Sequence, residues 1–228
     1  MKTFPAILSA ALLSACGRMG GSAPLPADFA SPLTTIPNAA SFKSLYSFKS
    51  LPDASAPAAG MVALNGTLYG TGEAGGQGGA GAVFATSTAG KERVLYSFGS
   101  GGVDGVLPAA GLVEVSGTLY GTTTAGGTHG SGTVFSIDKS GKEHLLYSFA
   151  GGNDGAQPYA AFISEGGVLY GTTYVGGGGK NCTQGCGTVF SVTTGGKEHV
   201  VYRFKGGTDG MGPVANVIVV GTGLYGTT

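Results

Sequence analysis

Charge is scarce in this chain. Only 11% of its residues are Asp, Glu, Lys or Arg, and twelve acids balance twelve bases. With no net charge and no basic patch, nucleic acid is an improbable partner. There is no tryptophan, so the recurring aromatics are Tyr and Phe. Beyond the N-terminal stretch, nothing shows a 3.6-residue apolar period sustained over three turns, which argues against helical architecture. That stretch, Ala6 to Leu13, is far too short to span a bilayer. No G-x-S-x-G elbow and no phosphate-binding loop is present. No acidic pair stands out along the chain for glycoside hydrolysis. No cofactor motif is found.

Glycine and repetition are abundant. Of 228 residues, 46 are Gly and 10 are Pro, a level that suggests disorder when it has no period. Here it has one. A Leu-Tyr-Gly landmark places its tyrosine at Tyr69, Tyr120, Tyr170 and Tyr225, in steps of 51, 50 and 55 residues. A Tyr-Ser-Phe landmark begins at Tyr46, Tyr96 and Tyr147 and recurs as Tyr-Arg-Phe at Tyr202. A Val-Phe landmark ends at Phe84, Phe135 and Phe190. A shared period near fifty residues fits propeller blades or solenoid units. Each unit holds four short runs rich in Val, Leu, Ile, Tyr, Phe and Thr, separated by turn residues. In the best-formed copy they are Ala109 to Val115, Thr118 to Thr123, Gly132 to Asp138 and Glu143 to Phe149. Apolar neighbours such as Val134 and Phe135 point to opposite faces of a strand, so both faces must be covered.

The ordered pattern LYGTT, GG, TVF, GKEHLLYSF, DG and P resembles the bacterial GloVer tandem-repeat family and, more distantly, the kelch blade. The resemblance covers Phe42 to Thr228. It implies an all-β fold, a β-propeller built from four-stranded repeats, and implies little about activity. The copies are circularly offset: the first starts in its fourth strand, Phe42 to Phe48, and the last ends after Val214 to Val220 and Gly223 to Thr228. If the two ends share one blade, no strand edge stays exposed and the blades number four. The alternative is an open or partial ring from a fragment, or pairing with a second copy.

The organisation expected from this is a signal peptide over residues 1–15, a linker over 16–40 and a repeat domain over 41–228. Leu13-Ser14-Ala15-Cys16 after an apolar segment resembles a bacterial lipobox, which implies lipidation of Cys16 and a membrane anchor. Gly17, not Asp, follows the cysteine, and by the same resemblance this points to the outer membrane. The linker, dominated by Gly, Ala, Ser and Pro, suits a tether. Within it, Leu33-Thr34-Thr35-Ile36 stands as far before Tyr46 as Val134 to Ile137 stands before Tyr147, and reads as a degenerate third strand.

Among polar residues the loop Gly-Gly-x-Asp-Gly recurs with Asp104, Asp154 and Asp209, and Asp53 is a degenerate first copy. A ring of carboxylates facing a cation or sugar is one reading. A turn held by Asp is the other, favoured because one Asp per loop is too few for Ca²⁺. Lys91-Glu92, Lys142-Glu143 and Lys197-Glu198 read as strand–strand turns with solvated charges. His144 and His199 are replaced by Arg93 in the first copy, so a metal site repeated through the array is not expected. The Leu-Tyr-Gly tyrosines read as core in preference to a sugar-stacking ring. Cys182 and Cys186, inside an insertion beginning at Gly177, read as a disulfide in an exported protein, because no further metal ligand lies near.

The function expected is that of a lipid-anchored, non-enzymatic envelope protein whose loops meet a protein or glycan partner. The alternative is a kelch-type enzyme, an isomerase or lyase acting on a sugar. Its mark would be unique polar residues such as Glu73, His129 and Lys180 converging on one pocket. For the anchor, Cys16→Ser should abolish lipid attachment and leave the protein soluble or unprocessed. Unchanged membrane fractionation and unchanged mass in that variant would overturn the anchor.

Overall fold

The computed structural model describes residues 43–49, 51–179 and 181–228. The signal segment, Cys16, the linker, Leu33 to Ile36, Phe42 and Lys180 lie outside them. The described residues are all-β, with no α-helix and a single short 3₁₀ turn at Gly207–Asp209.

Each full repeat folds into one antiparallel four-stranded sheet whose strands neighbour each other in chain order. The first comprises Val62–Leu64, Thr67–Gly72, Ala82–Ser87 and Glu92–Ser97. The second comprises Val113–Val115, Thr118–Thr123, Thr133–Ile137 and Glu143–Ser148, and the third Ile163–Glu165, Val168–Thr173, Thr188–Thr193 and Glu198–Arg203. The chain ends in a hairpin of Ile218–Val220 and Gly223–Tyr225. A register shift against the fourth strand recurs at Val83/Phe84, Val134/Phe135 and Val189/Phe190. It lies where Val and Phe turn to opposite faces.

Both faces of the strands are covered, as the paired apolar residues require. Phe135, Ile137 and Leu119 belong to a core shared with Tyr69, Val83 and Phe98 of the first repeat. Their neighbours Val134 and Tyr120 belong to a core shared with Leu169, Phe190 and Val192 of the third. A third core joins Val189 and Phe204 to Val217 of the final hairpin. Successive sheets therefore pack face to face. One edge-on aromatic contact recurs at these boundaries: Phe48 on Phe84 at 4.9 Å, then Phe98 on Phe135 and Phe149 on Phe190 at 5.0 Å. Each buried Phe contributes about 2–3 kcal/mol by burial and roughly 1 kcal/mol more through edge-to-face geometry.

These contacts explain the Leu-Tyr-Gly-Thr landmark. The glycine stands directly opposite the Val-Phe phenylalanine on the neighbouring strand: Gly70 to Phe84, Gly121 to Phe135, Gly171 to Phe190. A Cβ at Gly121 would sit 2.6 Å from the Phe135 ring and 2.9 Å from Leu112. The ring lies over bare backbone. The following threonine hydroxyl donates to a carbonyl of the next repeat, as Thr71 does to Ala110 at 2.7 Å and Thr122 to Pro158 at 3.3 Å.

Several strand expectations are corrected. The first strand of the second repeat forms only over Val113–Val115, because Leu107 takes a positive φ and the chain still turns there. In the final hairpin, only Ile218–Val220 and Gly223–Tyr225 pair. Residues 43–49 form no strand, and among the described residues no ladder joins them to Gly223–Tyr225. They are placed by side chains instead: Phe48 packs with Ala54, Ala82 and Phe84. Short bridges that sequence patterning does not reveal stitch the Asp53, Asp104 and Asp154 loops to the next Gly-Gly loop, as Gly105–Val106 pairs with Ala125–Gly126.

Gly121→Ala should therefore force the Phe135 ring off its site and destabilise the fold by roughly 1–3 kcal/mol. That corresponds to a fall in Tm of roughly 2–12 °C in thermal melts. Gly101→Ala, where a Cβ meets nothing within 4 Å, should melt like the parent protein. Equal melting of the two variants would refute this account of the landmark.

Candidate binding site at the repeat junctions

The Gly-Gly-x-Asp-Gly aspartates clamp their own loops. Each accepts a hydrogen bond from the Tyr-Ser-Phe or Tyr-Arg-Phe tyrosine upstream: Tyr46 to Asp53 at 2.8 Å, Tyr96 to Asp104 at 3.0 Å, Tyr147 to Asp154 at 2.8 Å and Tyr202 to Asp209 at 2.6 Å. Each also accepts from a backbone N–H four residues before it, from Lys49, Ser100, Ala150 and Lys205. The turn reading describes this geometry. Asp104, Asp154 and Asp209 do not gather into one ring, since among the described residues no three His, Cys, Asp or Glu side chains come together.

The glutamates of the Gly-Lys-Glu turns depart from expectation. Glu92, Glu143 and Glu198 are half-buried, not freely solvated, and each faces the Asp of the preceding repeat. Burial, then the Asp104 carboxylate, pushes Glu143 up to about 7. Burial, then Asp154, pushes Glu198 up to about 7 against the opposing Tyr147 hydroxyl and Arg203. Burial, then Asp53, raises Glu92. Burial and Asp154 likewise raise the Tyr147 phenol, which keeps it a donor. The pairing was missed because the two acids belong to different repeats. The available signal was the constant spacing from each Asp to the Glu of the next copy in the first two junctions.

Two junctions open into cavities built from equivalent residues. One, of about 540 Å³, is lined by Tyr46, Lys49, Asp53, Gln77, Glu92 and Ser97. The other, of about 430 Å³, is lined by Tyr147, Asn153, Asp154, Glu198, His199 and Arg203. Tyr46 corresponds to Tyr147, Asp53 to Asp154, Glu92 to Glu198 and Ser97 to Arg203. Glu73 and His129 line neither cavity. Of the Leu-Tyr-Gly tyrosines, Tyr69 and Tyr120 are core, Tyr170 packs against a core cluster, and Tyr225 is 49% exposed. Cys182 and Cys186 are bonded, with sulfurs 2.07 Å apart. Cys186 is buried beside Phe204, so the insertion packs onto the last Gly-Gly-x-Asp-Gly loop.

The family model of the Gloeobacter/Verrucomicrobia repeat matches residues 33–228. No curated protein matches the chain in sequence. A crystal structure from Bacteroides uniformis, provisionally described as a 6-phosphogluconolactonase, is similar at 17% identity over 55% of this chain, with a TM-score of 0.36. The match covers 33% of that structure, and at this level it carries no argument about fold or activity.

The raised glutamates make stability depend on pH. Their folded pKa values stand above those of an unfolded carboxyl, so the folded protein holds these protons more tightly. The contribution is fully present below about 4.5 and is lost as pH rises through about 7. After allowance for solvent screening of half-exposed groups, each is worth on the order of 1 kcal/mol. The protein should melt roughly 4–8 °C higher at pH 5.5 than at pH 8. Glu143→Gln with Glu198→Gln should flatten that profile, and a profile unchanged in the double variant would show that these groups do not cause it.

Proposed function

This chain belongs to the Gloeobacter/Verrucomicrobia repeat family, and from that premise we propose that it is a lipid-anchored, non-enzymatic protein of the bacterial cell envelope. Its repeats form a small β-propeller that presents junction loops to a glycan partner. Face-to-face packing of four-stranded antiparallel sheets supports the propeller. The final hairpin corresponds to the first two strands of a further blade. The segment carrying Tyr46 and Phe48 packs on the first sheet as a fourth strand would, through Phe48 and Phe84. A count of four requires the two ends to share one blade by packing, since among the described residues no ladder joins them. Leu-Ser-Ala-Cys16 supports the anchor.

One observation carries the binding reading: the two cavities are repeat-equivalent. An active site breaks repeat symmetry, whereas an array of like pockets suits a repetitive ligand. Their walls of Tyr, Asp, Glu, Asn, His and Arg offer donors, acceptors and an aromatic to sugar hydroxyls. A kelch-type isomerase or lyase would need its distinctive polar residues in one pocket, and Glu73 and His129 lie elsewhere.

The detergent-solubilised full chain should retain envelope polysaccharide and bind the polymer at least about tenfold tighter than its monosaccharide, through several pockets. Asn153→Ala with His199→Ala should weaken retention. Turnover of the sugar would establish the enzyme reading in its place. A protein captured on the same loops, with no glycan retained, would replace the glycan by a protein partner.

A further inference from the structure

The three full junctions share one plan but differ in how their carboxylates are satisfied. At the third, Asp154 is fully used: one oxygen accepts from Tyr147 and Ala150, the other from the Gly155 N–H at 2.8 Å. Arg203 lies in the same cavity and opposes the upward shift of Glu198. At the middle junction, Asp104 accepts from Tyr96 and from both the N–H and hydroxyl of Ser100.

The first junction is different. Asp53 is only 9% exposed. Its Oδ2 accepts from Tyr46 and the Lys49 N–H, while its Oδ1 is buried with no partner among the described residues. Glu92 Oε1 is likewise buried and unpartnered, as is Glu198 Oε1 at the third junction, so among the described residues only the first junction has a buried, unpartnered oxygen on both of its carboxylates. Both side chains line one cavity, within mutual reach. Ser97 stands where the third junction has Arg203. Lys49 also lines this cavity, but it bonds Asp53 through its backbone N–H, and among the described residues no side-chain ion pair to either carboxylate is formed. Two facing carboxylates with buried, unsatisfied oxygens carry a large desolvation cost unless something positive lies between them.

We propose that Asp53 and Glu92 bind a divalent cation of the calcium type at the first junction. The donor chemistry selects the ion. The carboxylates, the Gln77 side-chain carbonyl and the Ser97 hydroxyl are hard oxygen donors, and the cavity has room for water to complete the shell. Zinc favours nitrogen and sulfur, and neither His nor Cys lines this cavity. At the third junction the Arg203 guanidinium, bonded to the Asn153 carbonyl, supplies positive charge near Glu198. The site lies in one of the two cavities of the glycan reading, but its test needs no glycan, so the two can fail separately.

The test is thermal melting of the full chain at pH 7.5 in calcium chloride, in magnesium chloride, and in sodium chloride of matched ionic strength. Saturating calcium should raise Tm by roughly 4–8 °C. Titration calorimetry should give one calcium per chain. Glu92→Gln and Asp53→Asn should each remove most of the response, and Glu198→Gln should keep it. Ser97→Arg, which copies the third junction, should abolish the response while melting no lower than the parent without calcium. It decides the matter if Asp53→Asn does not fold. No response of the parent protein to either divalent ion overturns the proposal, as does a response that persists in Glu92→Gln and Ser97→Arg. A parent protein indifferent to calcium but stabilised by acid through Glu92 would mean that a shared proton bridges the pair, and would also overturn it.

Discussion

The contact on which this architecture depends is a phenylalanine lying over a glycine. The Phe of each third strand covers bare backbone on the second strand of its own sheet, Phe135 over Gly121, and receives edge-on the Phe that closes the previous repeat, Phe98. One side chain thus joins strands within a sheet and sheets to each other. Without Cβ on the glycine the ring can lie flat, and a flat ring leaves its face open to the neighbour. The same geometry explains why Phe48, in a segment with no ladder of its own, still has a fixed place on Phe84.

The polar side of each junction follows from that packing. Stacking sheets face to face brings the loop after one fourth strand against the fourth strand of the next repeat. The Tyr-Ser-Phe or Tyr-Arg-Phe motif divides the work: Phe faces the core, and Tyr, two residues earlier on the same face, reaches the loop Asp. The Asp accepts the Tyr hydroxyl and a backbone N–H together. A second carboxylate beside it is then unfavourable in its charged form, and burial compounds this. Glu143 and Glu198 meet that conflict by holding protons close to neutrality. The junctions are therefore electrostatically strained where they are hydrophobically well packed.

Period, strand identity and the two-sided cover of the strands were legible in the sequence because they are local. Val134 beside Phe135 already demands two apolar faces, and the structure places them in two different cores. The disulfide was legible from the even pair of cysteines and the expectation of export. The Asp–Glu pairing was not. Glu143 looks like a turn charge as long as its own strand is considered alone, since only the offset between stacked repeats brings it to Asp104. Strand ends were overdrawn for a related reason. Apolar content continues through Ala109 to Leu112 and Val214 to Val217, but there those residues pack as loop, with Leu112 and Val217 buried although unpaired.

The repeats also diverge in a directed way. The third carries Arg203 in place of Ser97 and Ser148, together with the insertion closed by Cys182 and Cys186. These changes meet in space: Asn181 of the insertion donates to the Lys205 carbonyl, and Arg203 donates to the Asn153 carbonyl across the junction. The insertion thus braces the loop that follows Arg203, and Arg203 in turn ties the third sheet to the loop of the second. A guanidinium held by its neighbours loses less freedom when it compensates a carboxylate than a free lysine would. The third repeat therefore carries a guanidinium toward its junction with the second and a covalent brace on its own Asp209 loop.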